Sequence, residues 1–337
     1  MLDKPTIPNT DIIAILHTHY GLDVAQLIFL PIGADPNAAV FRVKTTQADY
    51  FLKFTRRDFD AMTLLVPSLL RAQNIPQVIA PITTRTQQLS TRLQDFNLIL
   101  YPYVDSTTEF IKILTPPQWR EFGTALARIH TMPISPDLHQ NLHRETYSPY
   151  WRNIVITFYE NMQTKQPQDP LLQALAMLMK NKQPDIMYLV TQAQQQASIL
   201  ENLSLEFVLC HADIHVGNVL IDEQGHLFIV DWDEIILAPK ERDLMFIGAG
   251  IGGIWNTPEE AGWFWEGYGQ AVINPNALVY YLHERIVQDI AVTIIEMNES
   301  GHSDENRHIM LNQLEGQFQP NSVIDIARKT ATSLLFT

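Results

Sequence analysis

The 337-residue chain has one cysteine, Cys210. That excludes an internal disulfide and fits a reducing compartment, so the cytoplasm is the expected location. No apolar run reaches the ~18 residues of a membrane span, and no membrane partner is expected. The first residues, MLDKP, lack the basic-then-apolar pattern of a signal peptide. Positive charge is scarce: 23 Lys and Arg stand against 37 Asp and Glu, a formal net charge of −14. Such a chain repels polyphosphate backbones and anionic lipid, so no nucleic-acid partner is expected and a cationic ligand suits it better. The same acid also serves solubility. Internal repeats and low-complexity domains are lacking too.

What is present is a chain that is 46% hydrophobic and long enough for two lobes, each with its own core. Residues 11–20 read as a helix, with Ile12, Ile13, Leu16 and Tyr20 on one side and Gly21 as its stop. Strand patterns follow at 27–32, 40–43, 50–54, 88–93 and 97–101. Between the third and fourth, 60–73 reads as a helix with Met62, Leu65 and Leu69 at helical spacing and Pro67 inside. Proline cannot continue a central ladder, so Pro102-Tyr103-Val104-Asp105 predicts a bend between lobes. From Thr115, an N-cap candidate before Pro116 and Pro117, the pattern is helical; Trp119, Phe122, Leu126 and Ile129 form its apolar stripe. Residues 137–205 read as further helices, and the Gln-rich pieces 163–168 and 192–196 are expected at the surface.

The chemistry is concentrated later. Apolar residues 207–210 deliver His211 and Asp213; five positions on comes Asn218, and thirteen further Asp231. Between the last two lie an apolar run at 219–221, a turn at Asp222-Glu-Gln-Gly225, and another run at 227–230, which predicts a hairpin. Asn218 enters one strand and Asp231 leaves the other, so both reach the same edge and predict a shared divalent site. Magnesium, a hard ion that takes oxygen ligands, fits.

Phosphoryl transfer needs in-line positioning and charge neutralisation rather than covalent work by the protein. In that reading Asp213 orients the acceptor hydroxyl, and Asn218 and Asp231 hold magnesium. Lys53, mid-strand among apolar residues, either snorkels to solvent or is held by phosphate or a carboxylate; the Asp/Asn/Asp set favours the phosphate role. The helix after Lys53 contains no glutamate, so its carboxylate partner is expected to be Asp60. The loop carrying Gly33, Asp35 and Asn37 either covers the nucleotide phosphates or is a plain hairpin turn. Backbone near Tyr101 and Tyr103 is expected to meet the adenine, and His211 to fix its loop by a hydrogen bond. For a cationic acceptor the candidates are Asp233, Glu234, Glu266, Glu284, Asp289 and Trp255. Each acid reads equally as a surface charge, and the tryptophan as core.

His211-Ala-Asp213-Ile-His-Val-Gly-Asn218 with Ile229-Val-Asp231-Trp-Asp233 resembles the aminoglycoside phosphotransferase family, kin of choline kinase. Gly33-Ala-Asp-Pro-Asn37, Phe51-Leu-Lys53, the stretch 231–248, Tyr147-Ser-Pro, Trp255-Asn, Glu266-Gly-Tyr-Gly269 and His283-Glu-Arg285-Ile-Val are similar to the branch of that family acting on spectinomycin. The resemblance implies an α+β, bilobal protein-kinase-like fold. A small antiparallel β-rich lobe would span 1–101 and bind nucleotide, and a large, mainly helical lobe would span 102–337. It implies ATP (or GTP) and magnesium as cofactors and a small cationic hydroxylated substrate as partner. It further implies Asp213 as catalytic base, Asn218 and Asp231 on the metal, Lys53 on the phosphates, and Asp243 as a brace for the catalytic loop.

Three other readings remain open from the residues. The acceptor is a different metabolite, choline-, homoserine- or methylthioribose-like. His211, Asp213 and His215 form the metal cluster of a hydrolase. Or the chain binds nucleotide without catalysis.

Overall fold

A computed structural model of the chain describes residues 5–32, 38–56, 59–106, 114–164, 167–249, 255–299 and 303–335. In chain order the elements begin with α1 (Asn9–Ile15), strands β1 (Val24–Leu30), β2 (Ala38–Thr45) and β3 (Asp49–Thr55), helix α2 (Met62–Ala72), and strands β4 (Thr91–Leu93) and β5 (Phe96–Pro102). Helices α3 (Pro116–His130), α4 (Pro136–Asn141), α5 (Tyr150–Thr164) and α6 (Pro170–Leu200) follow. Short strands β6 (Val208–Cys210), β7 (Val219–Ile221), β8 (Leu227–Ile229) and β9 (Ile236–Ala238) come next. The chain closes with α7 (Glu241–Leu244), α8 (Pro258–Tyr268), α9 (Pro275–Asn298), α10 (Asp304–Gly316) and α11 (Val323–Leu335). None of the described helices is long and apolar enough to cross a membrane.

The chain divides into two compact units, Met1–Leu142 with Val216–Ile235, and His143–His215 with Ile236–Thr337. The first holds an antiparallel five-stranded sheet in the order β1-β2-β3-β5-β4. Strand alternation sends Phe41, Val43, Leu52, Phe54, Leu98 and Leu100 to one face, where they form a core with Ile12 and Leu16. The helix carrying those last two ends in a π turn, Leu16–Tyr20, and stops at Gly21 in the left-handed region (φ 73°). That left-handed backbone favours glycine, and a Cβ there would also have to push the Arg85 guanidinium aside. The strand pattern at 88–93 begins three residues late. Thr84 captures Gln88 in a turn, donating its N–H to the Gln88 carbonyl at 2.8 Å and accepting the Gln88 N–H on its hydroxyl at 3.0 Å.

The compact division falls at Leu142, beyond the lobe boundary expected at residue 101, because the following elements are tied back to the first unit. The Ile229 N–H on β8 donates to the Gln77 carbonyl at 2.6 Å, and the Ile79 N–H to the Ile229 carbonyl at 3.1 Å. Helix α3 starts at Thr115, whose N–H donates to Gln118 Oε1 at 2.9 Å. The Gln118 side-chain amide then donates to the Gly225 carbonyl in the β7–β8 turn at 3.0 Å. Arg128 near the end of α3 donates to the carbonyls of Asn74 and Gln73 at 2.8 and 2.9 Å.

The second unit is built on α9, which packs against α5, α6, α7, α10 and α11. Its inward residues Val279, Ile286, Val287, Ile290 and Ala291 are fully buried. The Gln-rich piece 192–196 lies in α6 and is not uniformly exposed: Gln196 turns inward and is buried. The short strand β6 pairs with β9 and places His211 at its end.

Candidate active site

In the first unit the hairpin forms as its sequence predicts, with Val219 opposite Ile229 and Ile221 opposite Leu227. Its ladder continues one step, because the Val230 N–H donates to the Asn218 carbonyl at 3.0 Å. Asn218 and Asp231 therefore flank the same open end. Asn218 is buried at the close of a 3-10 turn, Val216–Asn218. Asp231 is exposed, with a left-handed φ of 63°. A left-handed aspartate is an uncommon but accessible conformation that turns the carboxylate out of the strand. Two oxygen-bearing side chains at one hairpin end suit a hard divalent ion such as magnesium.

Lys53 lies opposite Val40 and Ile99 in the sheet, on the face away from the Leu52 and Phe54 core. Its ammonium donates to Asp233 Oδ2 at 2.7 Å. A carboxylate against this lysine is thus Asp233, which the sequence placed at the substrate. Asp60 serves the start of α2, where its Oδ1 accepts the Met62 N–H at 2.9 Å. The spacing of two between Asp231 and Asp233 ties the lysine to the hairpin exit. Tyr101 faces the same charges: burial pushes its hydroxyl far above the ordinary phenol range, and the negative charges of Asp233 and Asp231 add to the shift. Sheet alternation thus brings Lys53 and Tyr101 to one face, together with Asp231 and Asp233.

Tyr103 is engaged differently. Its N–H donates to the Asp49 carbonyl at 3.2 Å, and its ring lies under the Arg42 guanidinium at 4.1 Å. Residues 102–105 also line a cavity of about 500 Å³ with Ile79, Pro81, Phe228 and the 222–224 turn. Gly33, Asp35 and Asn37 lie outside the described residues.

In the second unit the stretch after β6 is braced by Asp243, which is fully buried. Its Oδ2 accepts the His211 N–H at 2.9 Å and its Oδ1 the Ala212 N–H at 2.6 Å. Ala212 has a φ of 69°, a left-handed conformation that costs a Cβ-bearing residue roughly 1–2 kcal/mol. Charge-assisted bonds to a carboxylate are strong enough to hold it there. The His211 ring, also fully buried, accepts the Asp213 N–H on Nδ1 at 3.3 Å. His211 therefore shapes the loop from inside.

The Asp213 carboxylate is held at both oxygens. Arg285 Nη1 donates to Oδ1 at 2.5 Å, and His215 Nε2 lies 3.4 Å from Oδ2. Burial raises its pKa, but the His215 hydrogen bond and the Arg285 charge outweigh that and hold the carboxyl well below the usual range. From the sequence Arg285 stood only as part of the motif His283-Glu-Arg285-Ile-Val, with no role assigned. Its partner is 72 residues away, and the only local signal is Asp289 one helical turn on, whose Oδ1 accepts from Arg285 Nε at 3.0 Å.

The remaining acceptor-site candidates separate. Asp289 is the partner of Arg285, and burial pushes its pKa up against that charge. Glu284 is buried in an ion pair with Arg152 at 3.1 Å, with side-chain exposures of 5% and 1%, so it belongs to the core. Burial raises its pKa to about 7 although the Arg152 charge opposes the shift. Trp255 is buried, with a left-handed φ of 60°. Glu234 and Glu266 are exposed. Among the described residues, His211, Asp213 and His215 do not form a group whose ligand atoms all lie within 4.8 Å of one another.

An antiparallel sheet bearing an interior lysine, a hairpin with Asn218 and Asp231 at its end, and a braced loop presenting a carboxylate define a phosphotransferase acting on an alcohol, with a protein-kinase-like α+β fold. Residues 28–278 match the phosphotransferase enzyme family (APH), and the chain belongs to it. The crystal structure of the spectinomycin phosphotransferase APH(9)-Ia in complex with ADP and spectinomycin is 36% identical over 97% of this chain and 99% of that one, with a TM-score of 0.90. The AMP-bound complex of APH(9)-Ia is 35% identical over 95% and 98%, with a TM-score of 0.84. An amicoumacin kinase in complex with AMP-PNP, calcium and amicoumacin shares the fold at 15% identity, covering 96% and 94%, with a TM-score of 0.61. No curated protein matches in sequence.

Proposed function

We propose that this enzyme transfers the terminal phosphoryl group of ATP to a hydroxyl of spectinomycin or a closely related cationic aminocyclitol. The observation that carries the reading is near-full-length similarity, at 36% identity, to a spectinomycin phosphotransferase crystallised with ADP and spectinomycin. Asp213 accepts a hydrogen bond from the acceptor hydroxyl and aims its oxygen in line with the phosphorus. Its depressed pKa makes it a weak base but a permanent anion, which suits orientation ahead of a late proton transfer to the carboxylate. Lys53 neutralises nucleotide phosphate oxygens, and the strand exit at Tyr101 to Val104 receives the adenine. Asn218 and Asp231 hold magnesium, which when bound offsets the negative charge of the phosphates. The acidic balance of the chain favours capture of a cationic acceptor. The reaction belongs in the cytoplasm, where ATP is plentiful, and amounts to antibiotic resistance by modification.

Incubation of the purified protein with ATP, magnesium and spectinomycin is expected to yield ADP and the monophosphorylated drug, identified by mass spectrometry. GTP run in parallel sets the nucleotide preference. Choline, homoserine and methylthioribose serve as competing acceptors. Turnover of one of these in place of spectinomycin would overturn the substrate and leave the phosphotransferase chemistry standing.

A further inference from the structure

We propose that Arg285 is a positioning residue for phosphoryl transfer, held by Asp289 and Phe246 so that it fixes the plane of the Asp213 carboxylate. The proposal rests on the reading of Asp213 as the residue that orients the acceptor hydroxyl.

Three contacts define the guanidinium. Nη1 donates to Asp213 Oδ1 at 2.5 Å, Nε donates to Asp289 Oδ1 at 3.0 Å, and the central carbon lies 5.4 Å from the centre of the Phe246 ring. The side chain is only 16% exposed. Its stem rises from α9, where 13 of 24 residues are buried, so its root is held by packing. A planar fork pinned at two nitrogens and beside a ring has little freedom left, and lysine, a point charge on a flexible stem, lacks that geometry.

The consequence falls on Asp213. A carboxylate offers about four acceptor directions on two oxygens. Arg285 takes one on Oδ1, and His215 Nε2 stands 3.4 Å from Oδ2, its ring 6.5 Å from the same Phe246. Contacts at both oxygens restrain the carboxyl group against rotation. In-line attack is sensitive to such alignment: a displacement of about 1 Å costs roughly 100-fold in rate. Asp289 acts one step further out, through Arg285.

The test is steady-state kinetics on R285A, R285K, D289N, the R285A/D289N pair and D213A. ADP release is followed with ATP, magnesium and spectinomycin, and also with ATP and magnesium alone, which supplies a reference rate whichever acceptor the enzyme takes. ADP affinity by calorimetry reports folding. R285A is expected to lower kcat about 100-fold with KM and ADP affinity within about threefold, and R285K to recover only part of the loss. D289N is expected to lose about 10-fold alone and nothing more in the R285A background, because it works through the arginine. A kcat within about threefold of the parent for R285A, or full additivity of D289N with R285A, sinks the positioning role. If R285A does not bind ADP, R285K and D289N decide: parental rates in both overturn the proposal. Near-normal turnover by D213A strikes instead at the reading of Asp213 itself.

Discussion

Lys53 Nζ and Asp233 Oδ2 lie 2.7 Å apart, joining strand β3 to the exit of the β7–β8 hairpin 180 residues later. The helix after Lys53 has no glutamate to offer, and the structure fills that part with an aspartate two residues beyond Asp231. The lysine and the proposed metal-ligand segment are therefore one charged unit.

Asp233→Asn tests that unit. Asp233 is half exposed, so the pair adds at most about 1 kcal/mol to stability, and the melting temperature is expected to move little. The nucleotide side should respond instead, with ADP affinity by calorimetry weakening about 10-fold and the KM for spectinomycin unchanged. A raised acceptor KM with intact ADP binding would return Asp233 to the substrate role suggested by its sequence position.

Asp243→Ala is expected to be costly in both fold and rate. It strips the His211 and Ala212 N–H groups of a buried acceptor, and each orphaned group costs about 1–3 kcal/mol. Urea unfolding should show a loss of roughly 2–6 kcal/mol, and turnover should fall further than stability alone explains, because the left-handed Ala212 before Asp213 loses its restraint. A parental urea midpoint would show that the brace is dispensable.

Glu284 predicts the direction of a pH effect. Its folded pKa, about 7, lies above the ordinary value of 4.5, so between those two the folded state binds more protons than the unfolded one. Stability is expected to fall as pH rises through that window, by on the order of 3 kcal/mol in total. The penalty is absent below the unfolded value and complete above the folded one. Thermal melts at about pH 5 and about pH 8 should show a smaller difference for Glu284→Gln than for the parent. An equal difference in both proteins would place the pH dependence elsewhere.

Metal dependence checks the hairpin end. Chelation with EDTA is expected to stop turnover, and added magnesium to restore it. Asp231→Ala should abolish turnover even at high magnesium, whereas Asn218→Ala should raise the magnesium concentration needed, since a neutral amide contributes less than a carboxylate to a hard cation. Full activity of Asp231→Ala at ordinary magnesium would remove it from the metal.

Much of this was legible in the chain because it is local. The hairpin between Asn218 and Asp231 follows from two apolar runs and a glycine turn, and Gly21 marks the helix end where the left-handed stop occurs. Thr115 ahead of Pro116 and Pro117 announces the start of α3. The misreadings are also physical. Glu284 looked like any acid on a helix, yet one face of α9 is fully buried and Arg152 meets it there. The pattern at 88–93 read as a strand, but the Thr84 turn consumed its first half.

The sequence by itself determined the β7–β8 hairpin, the helix stop at Gly21, the order of the chemical residues and the spacing that put Asn218 and Asp231 at one hairpin end, because strand period and turn composition act over a few residues. Only the tertiary structure decided the charge partners: Asp233 for Lys53, Arg285 for Asp213, Arg152 for Glu284. Those pairs join positions 180, 72 and 132 residues apart. An aspartate's role depends on which cation the folded chain brings within hydrogen-bond reach and on how much water remains around the pair, and neither quantity is carried by local pattern.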